Sequence, residues 1–151
     1  MDFDYSTMSN VAPGIFISNW EASINPAALE ANSIRGILTI VNSHRPDSIM
    51  QYQKKSGIES MHIYLDDIQE APLSDYFEAG YNFIEKFVKR GQNVLIYCMM
   101  GISRSATMIL YYLSRKYGNI NDSPEKTLAI HYEHFLHIRP ITPIMGSLTS
   151  Y

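Results

Sequence analysis

The chain has 151 residues, a formal net charge of −3, 46% hydrophobic and 18% charged residues, and a pI near 5.9. Such a length and balance suit one globular domain with its own core and argue against a disordered chain. The acidic charge disfavours bulk attachment to nucleic acid or anionic lipid, and no apolar run approaches the ~20 residues of a membrane span.

In chain order, residues 1–10 (MDFDYSTMSN) are acidic and polar, which suits a flexible or loosely docked arm and not a secretory signal. IFIS, after Gly14, predicts a short strand. Asn25-Pro26 predicts an N-cap and first helical turn, with the helix running to about Asn32. Gly36 separates it from ILTIVN, a β-branched run expected to be a strand buried on both faces. SHRPDS predicts a loop, and MHIYL from Met61 the next strand.

DDIQEAPLS predicts a polar loop ending in Ser74 as a helix N-cap. Phe77, Tyr81, Ile84 and Val88 recur at helical spacing, and Lys89-Arg90-Gly91 predicts that helix's end. NVLIY predicts a third core strand. Ala106, Ile109, Leu110, Leu113 and Tyr117 predict a helix ended by Gly118, and Ser123-Pro124-Glu125 opens another that stops at Pro140. A short last helix is expected between Thr142 and Thr149. The alternation predicts an α/β fold, with a mainly parallel central sheet flanked by helices, as one domain over residues 11–151.

The stretch VLIYCMMGISRSAT, Val94 to Thr107, holds the only cysteine, so no internal disulfide forms and a reducing compartment is expected. A loop leaving a buried strand and entering a helix stands where open α/β sheets bind ligands. The helix start offers free N–H groups and a partial positive charge, and Gly101 eases the loop into an anion-binding nest. Arg104 adds a planar cationic fork for two phosphate oxygens. The same field stabilises a thiolate at Cys98, since helix N-termini and cations lower a thiol's pKa from ~8.5 to roughly 3.5–7.5. One loop can therefore hold a phosphate dianion and ionise the nucleophile beneath it. The competing reading is an inert buried thiol at a strand end.

VLIYCMMGISRSAT resembles the signature loop of the cysteine-dependent protein phosphatases, in particular the small (atypical) dual-specificity phosphatases. GIFISNWEAS and GILTIVN resemble the family's opening strands, DDIQEAPLSDYF its general-acid loop, and the RP of HIRPITP its closing element. The likeness runs over roughly residues 11–148. It implies that Cys98 attacks phosphorus to form a phosphocysteine, and that Arg104 and the amides of Met99, Met100, Gly101, Ile102 and Ser103 hold the phosphate oxygens. It also implies that Ser105 hydrogen-bonds the departing sulfur, and that one carboxylic acid serves first as acid and then as base. The family's spacing, six residues ahead of Leu73-Ser74, favours Asp67 over Asp66 for that role. Asp75 reads as a first-turn helix residue.

The resemblance further implies a phosphoprotein substrate in the cytoplasm or nucleus, with phosphotyrosine and phosphoserine or phosphothreonine both accepted. Met99, Met100 and Ile102 offer none of the extra loop charge that inositol-lipid relatives carry, and the short NSHRPDS loop suits a shallow pocket. No cofactor or metal is expected: His131, His134 and His137 read as a solvated helix face, and His44 and His62 as ordinary surface or core residues. Two positions depart from the family. Tyr97 stands where a histidine usually precedes the cysteine, predicting a less acidic Cys98 and slower turnover. PIMGSL, with Gly146, lacks the Asn and Phe of the family's usual supporting run. Tyr97 is also the ground for an alternative, a pseudophosphatase that binds phosphoproteins; a sulfur-transfer or arsenate-reducing enzyme would need different loop lengths or resolving cysteines.

Overall fold

The β-branched and apolar runs assemble into one sheet whose two faces are both covered. The computed structural model describes residues 8–43, 47–65, 73–98 and 103–117. In chain order these form β1 (Ser9–Ala12), β2 (Ile15–Ser18), α1 (Trp20–Ser23), α2 (Pro26–Ala31), β3 (Ile34–Ile40), α3 (Asp47–Lys55) and β4 (Glu59–Ile63). A 3₁₀ turn at Leu73–Tyr76 then leads into α4 (Phe77–Lys89), β5 (Asn93–Cys98) and α5 (Ser103–Tyr117).

The sheet order is β1-β2-β5-β3-β4. Only β1 pairs antiparallel; β5 lies between β2 and β3 and runs parallel to both. The expected mainly parallel α/β architecture is present. Side chains of β5 alternate between two cores, as strand geometry requires. Val94, Ile96 and Cys98 pack with Leu38 and Ile40 against the apolar faces of α4 and α5, whereas Leu95 and Tyr97 pack with Ile37, Ala22 and Leu29 on the other side.

Local chemistry explains the elements. The Asn25 side chain accepts hydrogen bonds from the Ala27 and Ala28 amides at the start of α2, as its Asn-Pro signature predicts. Gly91, at φ +68°, follows α4 in the left-handed conformation glycine tolerates best. Gly36 is no break before β3 but lies within it. A Cβ there would collide with the Phe87 ring, so the glycine lets α4 seat that ring on the sheet.

Other expectations are corrected. Ser9 and Asn10, read as part of an arm, begin β1; residues 1–7 lie outside the described residues. Hydrogen bonds from the Asn10 amide to the Ala12 and Ile15 carbonyls tie that hairpin together. Asp47 and Ser48, read as loop, open α3. Ser74 does not cap α4: it sits inside the 3₁₀ turn, and Tyr76 occupies the cap position with no side-chain bond. The fourth strand starts at Glu59 and ends at Ile63, ahead of Tyr64 and Leu65. The helices expected after Gly118 fall outside the described residues.

A half-buried polar cluster joins α4 to α5. The Tyr112 hydroxyl and the Lys116 ammonium both donate to Glu85 Oε1, the former at 3.1 Å, and the Tyr81 hydroxyl donates to Oε2 at 3.3 Å. Burial raises the Glu85 pKa, but the bonds from Lys116 and Tyr112 outweigh it and leave the carboxyl below its ordinary value. A depressed folded-state pKa means stability that is present above the unfolded carboxyl range and is lost as pH falls through the folded value. Glu85→Gln should therefore cost about 1 kcal/mol at neutral pH, with the gap from wild type closing below about pH 4. Thermal melts of both proteins at several pH values check this.

Candidate active site

The central strand β5 carries its last residue, Cys98, to the C-terminal edge of the sheet, where it is 1% exposed. After residues 99–102, which lie outside the described residues, the chain re-enters regular structure as α5. The first turn of that helix brings Arg104 and Ser105 back to the strand end, both buried. The Cys98 Sγ lies 3.4 Å from the Ser105 Oγ, within hydrogen-bond reach for sulfur. The seven-residue separation thus closes into direct contact because strand and helix pack against one another through the same core.

Arg104 carries the clearest electrostatic signal. It is only 8% exposed, and its Nε is buried without a hydrogen-bond partner among the described residues. A buried cationic donor lacking an acceptor is costly, and an anion at the strand end would relieve it. The helix reinforces that preference. The first turn of α5 holds no acidic residue, and Arg115 and Lys116 occupy its last turn, so its positive end at Ser103 is not neutralised from within the helix.

Tyr97 points away from all this. It is 3% exposed and belongs to the core on the face opposite Cys98, with Ala22, Leu29, Ile37 and Leu95. Its neighbour in register on β3 is Thr39, a fully buried residue whose hydroxyl has no hydrogen-bond partner among the described residues. A tyrosine at this position thus fills the second core, on the face of β5 opposite Cys98, and adds no group beside the sulfur. Thr39 escaped sequence reasoning, although one hydroxyl residue inside the apolar run ILTIV was a readable sign.

Of the remaining sequence-predicted site residues, Asp66, Asp67, Met99, Met100, Gly101 and Ile102 lie outside the described residues, as do His44, His131, His134, His137 and Gly146; nor is the Ser103 side chain described. His62 is placed: its Nε2 is 3.1 Å from the Val41 carbonyl oxygen, and its ring stacks on Tyr64. Among the described residues no cluster of three or more His, Cys, Asp or Glu could hold a metal ion. No helix among them is long and apolar enough to cross a membrane.

Three comparisons with known proteins agree on one family. Residues 15–150 match the family described as dual specificity phosphatase, catalytic domain. The chain is 31% identical over 111 residues to dual specificity protein phosphatase 1B of Arabidopsis thaliana, covering 74% of this chain and 63% of that protein. It is 28% identical over 138 residues to dual specificity protein phosphatase 1 of the same plant, covering 91% and 63%. The chain therefore spans less than two thirds of the length of these relatives. The crystal structure of DUSP15 superposes with a TM-score of 0.80 at 25% identity, covering 96% of this chain and 86% of that one.

Proposed function

The chain belongs to the dual specificity phosphatase catalytic-domain family, and on that premise we propose that it hydrolyses phosphotyrosine and phosphoserine or phosphothreonine in proteins through a phosphocysteine intermediate, without a metal ion. The observation that carries this reading is a buried thiol at the end of β5, a hydroxyl at the start of α5, 3.4 Å from its sulfur, and, next to that hydroxyl in the chain, a buried arginine whose Nε has no hydrogen-bond partner among the described residues. A thiol packed for structure alone needs neither cation nor helix start beside it.

In the first step the Cys98 thiolate attacks phosphorus, the bond to the substrate oxygen breaks, and Asp67 gives that oxygen its proton. Arg104 and the amides of residues 99–104 hold the three equatorial oxygens, whose negative charge they stabilise in the transition state. In the second step Asp67 takes a proton from water, the water oxygen bonds phosphorus, and the sulfur leaves as thiolate. The Ser105 hydroxyl, already in reach of the sulfur, donates to it as it departs.

Ser105→Ala should thus slow the second step more than the first. Rapid mixing with an aryl phosphate is expected to give a burst of phenol near one equivalent of enzyme, then a steady rate about tenfold lower than wild type. Equal slowing of burst and steady phases would remove Ser105 from that role. The parent reading is tested by phosphate release from phosphotyrosyl and phosphothreonyl peptides in excess chelator, with vanadate as inhibitor. Turnover of both, insensitive to chelator and blocked by vanadate, is expected; activity that needs added metal would contradict it.

A further inference from the structure

Two exposed aromatic side chains stand at the same edge of the sheet as Cys98. Trp20, the only tryptophan in the chain, is 40% exposed, and Tyr64 is 51% exposed. Their positions follow from strand register. β2 ends at Ser18, which pairs with Tyr97, and the chain then turns at Asn19 into α1, so Trp20 leaves the sheet at the end where β5 delivers Cys98. Ile40 pairs with both Cys98 and Ile63, so Tyr64 stands one residue beyond the level of the sulfur. In the sheet order β2 is next to β5 on one side, and β3 then β4 lie on the other, so Trp20 follows the adjacent strand and Tyr64 the second strand away.

Both are anchored. Trp20 opens α1, whose N-cap Asn19 accepts a hydrogen bond from the Glu21 amide, and the Trp20 carbonyl accepts bonds from the Ser23 hydroxyl and the Ile24 amide. Tyr64 stacks on His62 at a centroid distance of 3.7 Å, and His62 in turn meets the Val41 carbonyl. Large exposed aromatic faces on a fixed backbone make low-entropy contacts for a partner.

We propose that Trp20 and Tyr64 are specificity-determining residues, flanking the phosphate site to receive apolar side chains of an extended phosphopeptide. The proposal rests on the phosphatase reading above. An extended peptide crossing the strand ends would meet Trp20 on the nearer side of the phosphoresidue and Tyr64 farther away on the other. Exposed Glu21 beside Trp20 adds a penalty for acidic residues on that side.

Kinetics on a phosphotyrosyl peptide flanked by leucines, one flanked by glutamates, and 4-nitrophenyl phosphate test the proposal. Wild type should prefer the leucine peptide. Trp20→Ala and Tyr64→Ala should each lower the ratio of kcat/KM for that peptide to kcat/KM for the aryl phosphate about tenfold, through KM, and Trp20→Phe and Tyr64→Phe should restore it. Parallel losses on both substrates, or a ratio that does not move, overturns the proposal. Fluorescence of the single tryptophan supplies a readout that needs no turnover. Saturable change on titrating wild-type protein with the leucine peptide, at lower concentration than with the glutamate peptide, supports the docking surface even if the enzyme reading fails; no peptide-dependent change contradicts it.

Discussion

Cys98→Ser is expected to lower turnover of an aryl phosphate by at least about 10³-fold while phosphopeptide binding survives. The serine hydroxyl stays protonated at neutral pH and is a poor nucleophile without an adjacent base, so the first bond to phosphorus does not form. Binding should persist because the proposed mechanism puts it elsewhere, in the guanidinium of Arg104 and the helix start at Ser103. The substitution should also fold, since Ser105 Oγ lies 3.4 Å from the sulfur it replaces and can pair with the new hydroxyl. Stopped assays for turnover and calorimetric titration with a phosphotyrosyl peptide separate the two quantities. Loss of both would make the thiol a structural residue. Binding by wild type without turnover would instead make the chain a phosphoprotein-binding module.

Arg104→Lys should be nearly as damaging, with kcat/KM down roughly 10²–10³-fold although the charge is kept. The guanidinium is buried, and its Nε lacks any partner among the described residues. A planar fork can meet two oxygens of the phosphate at once, and the stabilisation grows as charge spreads over those oxygens in the transition state. A lysine ammonium is a point donor on a flexible stem and cannot reproduce that geometry. Steady-state kinetics on an aryl phosphate are the check. A lysine variant within about threefold of wild type would mean that Arg104 supplies field alone.

The strand that carries Cys98 and the following helix were legible because both signals are strong: a continuous apolar run, then apolar spacing at helical period from Ala106 to Tyr117. Their contact through Ser105 was expected from the family resemblance. Tyr97's direction was legible too, since strand alternation sends it opposite to Cys98, yet the sequence alone does not say that a second full core waits there. Gly36 misled because a glycine between a helix and an apolar run usually marks a boundary; here a distant residue, Phe87, requires it. Ser74 misled in the same manner, its capping chemistry overridden by the 3₁₀ turn that Leu73 buries. α3 is mostly polar, with only Ile49, Met50 and Tyr52 to set a period, and begins in a stretch whose proline suggested a loop. Single exposed aromatics such as Trp20 and Tyr64 have no period at all, and only the ends of β2 and β4 just before them give them a location. The assignment of the acid to Asp67 stands on the family resemblance, outside the described residues.

The proposed mechanism passes through a covalent phosphoryl group on Cys98, which rapid quenching can trap. Protein mixed with a phosphotyrosyl peptide, quenched within one turnover and digested, should show one added phosphoryl mass on the peptide that contains Cys98. Ser105→Ala should increase its yield, and Cys98→Ser should remove it. Turnover with no adduct at any quench time, or an adduct on another residue, would contradict the account.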